Sequence, residues 1–465
     1  MSATTTTSSA GPATAPRRLG VAQYLGYAAG DAANNLAFSM TSFFLLIYYT
    51  DVVGISAAAA GTLFLLIRIW DGFADIFAGR TVDRTMTRWG KFRPFFLFAG
   101  LPVLLLSFAT FTVPGLADSG GMKLFLAYLT YGLLGLAYSL VNIPYGSLAA
   151  AMTQLPGERA KLASFRMIGT AVTTIMLAFV VAPQIQKYKG DPDGFQQSLM
   201  ITTGIFVVVG FALYVFLFVT ARETVQRDVQ HVSARQSFGT LKGNRPLIML
   251  CLASLAFLTA MFSLQTVQVY YARDVLGNAN LLTILTVLSV GSIFIVAPLV
   301  PRLVRAIGKK TAFLSFGAVG VLAGVGISFS PPSTPWVSMI FFGIMGVSTA
   351  GVNTLMWALE ADTVEYGEWK TGVRTEGITY ALFSFTRKLG QAVGGAVAAY
   401  AIAFGGYVGG AAVQNQDALN AIRYASGFIP VAFILIGILI FFRYPLTEQT
   451  FATMVAETQA RRQAR

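Results

Sequence analysis

Apolar residues run through this chain in long blocks separated by short polar breaks. A helix needs about 20 such residues, with few charges, to cross the hydrocarbon of a bilayer. Twelve blocks qualify, at 21–48, 55–79, 94–114, 122–150, 162–184, 198–221, 246–272, 280–302, 311–330, 336–361, 376–405 and 424–442. The pattern predicts an all-α membrane protein with twelve transmembrane helices. The fifth and eleventh blocks are the least clean. Arg166 interrupts one, and Arg387 with Lys388 the other.

Composition agrees with the pattern. Of 465 residues, 55% are hydrophobic and only 11% charged, against about 25% charged in a soluble domain. Mean hydropathy is +0.65. The net charge of +13 would suggest nucleic acid in a soluble protein. Here topology accounts for it, because basic residues gather in cytoplasmic loops of membrane proteins, and no nucleic-acid partner is expected. The single cysteine, Cys251, lies in an apolar run and offers no disulfide framework. The Thr/Ser/Ala-rich start, Met1 to Pro16, reads as a disordered tail. Arg17-Arg18 mimics a twin-Arg signal, but the following block carries Asp31, Asn34 and Asn35 without a clean cleavage site. A retained first span is expected.

The loops test the count and orient the chain. Alternate connections, on one side, hold Arg80, Arg84, Arg88, Lys91 and Arg93, then Arg159 and Lys161, then Arg222 to Arg245, then Arg302 to Lys310, then Lys370 and Arg374. Both chain ends add further arginines to that side. The other side has only Lys123, Lys187, Lys189, Arg273 and Arg423. One miscounted span would destroy this split. Both termini are therefore expected in the cytoplasm, with the protein multi-pass in the plasma (inner) membrane.

The longest cytoplasmic connection contains the only histidine, His231, read as a solvated loop residue. It divides the chain into a tail (1–20), a six-helix bundle (21–221), a linker (222–244), a second bundle (245–443) and a tail (444–465). The halves echo each other. Gly79-Arg80-Thr81-Val82-Asp83-Arg84 followed by Gly90-Lys91 has a counterpart in Pro301-Arg302-Leu303-Val304-Arg305 followed by Gly308-Lys309-Lys310. Equivalent basic turns suit two six-helix repeats related by a pseudo-two-fold axis.

Polar residues inside the blocks carry the candidate chemistry. Arg68, Asp71 and Asp75 sit at i, i+3 and i+7 of the second block, on one helical stripe. A charge at mid-membrane depth costs about 2.5–3.5 kcal/mol on insertion scales, so this stripe should line a wet, protein-enclosed cavity. Further polar positions are Tyr24, Tyr27, Asp31 and Asn35 in the first block, Tyr138, Ser139 and Asn142 in the fourth, Arg166 in the fifth, Asn353, Trp357 and Glu360 in the tenth, and Tyr380, Ser384, Lys388 and Gln391 in the eleventh. Asp71, Asp75 and Ser139 offer hard oxygen ligands for a small metal cation such as Na⁺, or a proton acceptor. Two close carboxylates repel, so cation occupancy makes a natural switch. Asp31, Asn142 and Arg166 could grip sugar hydroxyls, with Tyr27 and Trp357 against the apolar face of a ring. Lys388 could pair with an acid when the cation is absent. Plainer roles stay open: a structural ion network for Arg68, Asp71 and Asp75, a helix-locking pair for Arg166, and a kink at Asn142-Ile143-Pro144.

Several stretches resemble the glycoside–pentoside–hexuronide:cation symporter family, the branch of the major facilitator superfamily that includes the melibiose carrier. They are Tyr48-Tyr49-Thr50-Asp51-Val52-Val53-Gly54, Arg68-Ile69-Trp70-Asp71 with Asp75, Asp83-Arg84-Thr85 through Arg88-Trp89-Gly90-Lys91-Phe92-Arg93-Pro94, and Ala361-Asp362-Thr363-Val364-Glu365-Tyr366-Gly367-Glu368. The resemblance implies a cation site at Asp71, Asp75 and Ser139, and sugar contacts at Asp31, Asn142 and Arg166. It also implies coupling through Lys388 beside Arg68, and a cytoplasmic gate carrying Asp83, Arg84 and Lys91. The sequence departs from the melibiose carrier where sugar is read, at Asn142, Gly146, Asn353, Phe262 and Gln265, and has Ile76 where a proline often follows the second acid.

The expectation is a secondary active symporter, not an enzyme. It would carry a glycoside, pentoside or hexuronide with Na⁺ or H⁺, need no cofactor, and work as a monomer in the lipid bilayer. An uncoupled uniporter and a non-transporting sugar sensor of the same fold are the alternatives.

Overall fold

The computed structural model describes residues 18–153, 155–223, 243–372, 376–411 and 413–463. Most of the 222–244 connection, including His231, lies outside the described residues. Among the described residues the chain is helical, apart from one isolated bridge between Thr87 and Gly90. Eleven helical stretches among the described residues are long and apolar enough to cross a membrane: Val21–Val53, Ala57–Arg84, Arg93–Leu116, Gly120–Met152, Lys161–Lys187, Pro192–Thr220, Arg245–Val275, Leu281–Ile307, Lys309–Phe329, Pro335–Thr371 and Gln416–Phe442. The helix Glu376–Phe404 falls short on apolarity, because Arg387 and Lys388 sit within it. It is nevertheless 29 residues long and packs against the second and seventh spans. It takes the place of the eleventh span, one of the two that polar interruptions had marked as least clean.

Helix starts follow local chemistry. Ser56, Ser119, Asp191, Asn244 and Asn415 each accept a backbone N–H of the first turn they cap, which satisfies a donor that a helix leaves orphaned. The first and seventh spans end alike. Each passes into a short π-helical turn, Tyr48–Val53 and Tyr271–Val275. Each such turn is followed by a glycine with positive φ, Gly54 at 78° and Gly277 at 71°. A side chain would be strained at that φ, so glycine ends both segments.

The packing has a pseudo-two-fold character. The first span lies against the fifth and sixth, as the seventh lies against the eleventh and twelfth. Between the halves, the second span meets the eleventh, the fifth meets the eighth, and the first meets the seventh. Leu66, Ile69, Phe73, Ile76 and Phe77 of the second span are exposed and apolar, as a lipid-facing side requires. Asp71, on the other side of the helix, is buried. This is the major facilitator architecture. Beyond the twelfth span, Glu448–Gln463 forms a further helix packed on the end of the tenth, with Trp369 Nε1 donating to Glu457 at 2.7 Å. The expected tail is therefore a docked helix over those residues.

Candidate substrate and cation site

The second span is drawn tightly onto the fourth. Trp70 Nε1 donates to the Gly132 carbonyl at 3.0 Å. One turn on, a Cβ at Gly135 would stand 2.1 Å from Asp71 Oδ1. Only glycine lets this carboxylate lie against the fourth span, and buried Ser139 follows one turn further on the same helix. Asp71 Oδ2 receives Arg68 Nη1 at 3.1 Å. Asp75 Oδ2 receives Lys388 Nζ of the eleventh span, an ion pair that crosses between the halves. The remaining oxygen of each acid, Asp71 Oδ1 and Asp75 Oδ1, is buried and has no hydrogen-bond partner. The two acids lie within electrostatic range of each other. Buried acceptors are normally satisfied, so these two bare oxygens, on residues one helical turn apart, have the hard-ligand chemistry that a small cation could use. Among the described residues no group of three or more His, Cys, Asp or Glu could hold a metal, so such a site would draw further ligands from hydroxyls, carbonyls or water.

A second cluster joins the first and fifth spans. Asp31 is buried. Its Oδ1 accepts from Arg166 Nε at 2.9 Å, and its Oδ2 accepts from Thr170 Oγ1 and, at 3.0 Å, from Asn35 Nδ2. The Arg166 guanidinium lies 5.3 Å from the Tyr145 ring centroid. Its side chain is still 41% exposed, although it sits between the two halves. Tyr27 is buried with its ring stacked on Tyr145, so one face of that ring is already covered. Across the gap, Trp357 is stacked on Tyr380 at 6.0 Å, and both are exposed. Asn142 is half-buried on the fourth span. Asp31 and Arg166 are thus brought together, as are Asp71, Asp75, Arg68 and Lys388, in two adjoining clusters.

The basic loop after the second span closes on itself. Lys91 Nζ meets Asp83 Oδ1 at 2.8 Å, while Arg84 is exposed. Sequence reading passed over the residue that anchors this loop. Glu223, just past the sixth span, accepts the backbone N–H groups of Lys91, Phe92 and Arg93 at 2.8, 2.8 and 3.0 Å. The second half repeats the device. Glu448, just past the twelfth span, accepts Lys309 N–H at 2.9 Å, and Lys309 Nζ binds Asp362. A glutamate after each sixth helix was the available signal.

On the opposite face the halves are tied together. Arg273 Nη1 meets Asp51 Oδ1 at 3.2 Å and Arg273 also chelates Asp274 at 3.0 and 2.9 Å. Tyr407 donates to both Asp51 oxygens at 3.0 Å, and Gly410 N–H to one of them at 2.8 Å. Burial holds the Tyr407 hydroxyl well above its usual pKa against the pull of Arg273, so it remains a donor. Thr50 with Tyr270, and Gln186 with Ala279, add two more crossings at 3.0 and 2.7 Å.

Comparison with known proteins now gives this arrangement a class. A family model described as "MFS/sugar transport protein" matches residues 26–448. The chain is 46% identical over 443 residues to the "Glucuronide carrier protein homolog" of Escherichia coli (strain K12), covering 94% of this chain and 95% of that one. It is 34% identical to the "Isoprimeverose transporter" of Lactiplantibacillus pentosus, over 87% and 84% of the two chains. It is also 34% identical to the "Putative sulfoquinovose importer" of Salmonella typhimurium, over 96% and 94%. Among solved structures, the nucleoside transporter NupG aligns with a TM-score of 0.62 at 12% identity, over 91% and 98%, a likeness of fold alone. The chain belongs to the sugar-transporter family of the major facilitator superfamily. It is a multi-pass membrane transporter of sugars or sugar derivatives, and not an enzyme.

Proposed function

We propose that this transporter is a symporter that couples entry of one Na⁺ or H⁺, held at Asp71 and Asp75, to uptake of a glycoside, pentoside or hexuronide across the plasma membrane. The observation that carries the reading is the pair of buried, partnerless oxygens on Asp71 and Asp75, with the other oxygen of each acid already held by a basic side chain. The relatives support the substrate class, since glucuronide, isoprimeverose and sulfoquinovose all carry sugar hydroxyls.

The mechanism follows from charge. Without a cation, Lys388 neutralises Asp75 and clasps the halves together. A cation at the bare oxygens, with Ser139 close by, satisfies the acids and frees Lys388. The eleventh span can then part from the second. Asp31 and Arg166 would hold sugar hydroxyls, with Asn142 and Trp357 along the same path. If the cation tightens sugar binding, sugar must tighten the cation by the same factor. Both termini and the basic loops, with Asp83, Arg84 and Lys91, would face the cytoplasm. No cofactor is needed, and one chain would suffice.

The test is uptake of a labelled glucuronide into proteoliposomes under imposed Na⁺ or H⁺ gradients. Accumulation above the outside concentration with either gradient is expected. Downhill uptake indifferent to both gradients would replace the symporter with a uniporter.

A further inference from the structure

Four basic side chains lie well away from the ends of their spans, Arg68, Arg166, Arg387 and Lys388, and three of them have an acid. Arg68 has Asp71, Arg166 has Asp31 and Lys388 has Asp75. Arg387 has none among the described residues. Its Nη1 donates to the neutral Asn353 Oδ1 at 3.1 Å. Its guanidinium lies 4.9 Å from the Trp357 ring centroid and 6.0 Å from that of Phe383. Arg166, across the gap, lies within electrostatic range and adds repulsion. An embedded cation without a countercharge is costly, and among the described residues Asn353 is the one hydrogen-bond acceptor this guanidinium meets.

We propose that Arg387 receives the acidic group, a carboxylate or sulfonate, of the transported sugar derivative. The proposal rests on the sugar-transport reading above and adds the charge of the substrate to it. A guanidinium presents a rigid fork that matches an oxyanion with two parallel hydrogen bonds. Asn353 and the Trp357 face hold that fork in place, and the Trp357–Tyr380 stack supplies an aromatic wall beside it for a ring. Arg166 is the poorer candidate, because Asp31 already balances its charge. Net charge argues the same way. The four basic side chains and the three acids Asp31, Asp71 and Asp75 sum to +1, and a monovalent anion on Arg387 offsets that excess. A glucuronide carries a carboxylate and sulfoquinovose a sulfonate, so two relatives bear names of substrates with this chemistry.

The experiment compares p-nitrophenyl β-D-glucuronide with p-nitrophenyl β-D-glucoside, which differ only in carboxylate against hydroxymethyl. Binding to the purified full-length transporter is measured calorimetrically. The unaltered protein should prefer the glucuronide by at least about tenfold, the scale of one charge-assisted hydrogen bond. Arg387→Gln should bring the two ligands within about twofold of each other. Arg387→Lys, which keeps the charge and loses the fork, should fall between. Monodisperse elution and an unchanged unfolding midpoint certify each variant. An Arg387→Gln protein that keeps the preference overturns the proposal, as does an unaltered protein that binds both ligands equally while still transporting sugar. Failure of the unaltered protein to bind either glycoside overturns the glycoside–hexuronide assignment proposed above, and this proposal with it, while the sugar-transporter family stands.

Discussion

The two faces of this transporter are built from similar parts and wired differently. On the face without the termini, Asp51 of the first half binds Arg273, Tyr407 and the Gly410 N–H of the second across the boundary between the halves. On the termini-bearing face, the charged groups pair at home. Asp83 with Lys91 and Glu223 with the third-span start stay in the first half, and Lys309 with Asp362 and Glu448 stay in the second. Among the described residues no hydrogen bond or ion pair joins the halves there. Charge alone therefore does not define a gate. A gate is closed where ion pairs span the moving boundary, so among the described residues this conformation is tied at the face without the termini. Lys388–Asp75 is the crossing pair that sits at the proposed cation site.

The largest effect should come from breaking the crossing network. Removing one partner of a buried ion pair costs on the order of 3–5 kcal/mol. A shift of about 5.5 kcal/mol turns a two-state equilibrium from 1:99 to 99:1. Asp51→Ala should therefore open the closed face, seen as a longer distance between spin labels on Met122 and Ser333. An unchanged distance would remove this network from the gate. Lys388→Ala should come next, because the cation would no longer displace a bound ammonium. Accumulation of glycoside should fall by tenfold or more, while exchange across a membrane with equal cation on both sides persists. Loss of exchange as well would place Lys388 in sugar binding.

Gly135→Ala should act locally. A methyl group 2.1 Å from Asp71 Oδ1 must displace the carboxylate, so cation affinity should drop several-fold, with the spin-label distance unchanged. Glu223→Gln, on the self-contained face, should lower the unfolding midpoint by a few degrees and leave that distance alone. A distance change there would show that this face also steers the halves. The smallest effect concerns Glu158. The Tyr24 hydroxyl, then Lys161, draw its carboxyl down from an ordinary 4.5 to about 2. A depressed acid stabilises the fold above its unfolded pKa, and loses that contribution only as pH falls through the folded value. The difference in midpoint between the unaltered protein and Glu158→Gln should therefore be flat from pH 8 to pH 5.

Much of this was legible in the chain. Block length and loop charge marked the spans, and the stripe of Arg68, Asp71 and Asp75 announced a polar interior. The eleventh span was visible but blurred, because Arg387 and Lys388 lower its apolarity for reasons of chemistry rather than topology. The crossing network was not legible. Asp51 and Arg273 lie far apart in sequence, and Arg273 looked like an ordinary loop cation. A signal existed in Tyr48-Tyr49-Thr50-Asp51-Val52-Val53-Gly54 against Tyr270-Tyr271-Ala272-Arg273-Asp274-Val275-Leu276-Gly277. The same ending closes both halves, in π-helical turns that amphipathic periodicity does not reveal. The freedom of one oxygen on each acid is a property of packing, which arises only in the folded chain.

Cation entry evoked by sugar tests the central claim most directly. Proteoliposomes at equal cation concentration inside and out are given a glucuronide, and Na⁺ or H⁺ influx is recorded. The unaltered transporter should show influx on addition of sugar, and Asp71→Asn and Asp75→Asn should show none. Influx undiminished in both variants would contradict the assignment of those carboxylates as the seat of coupling.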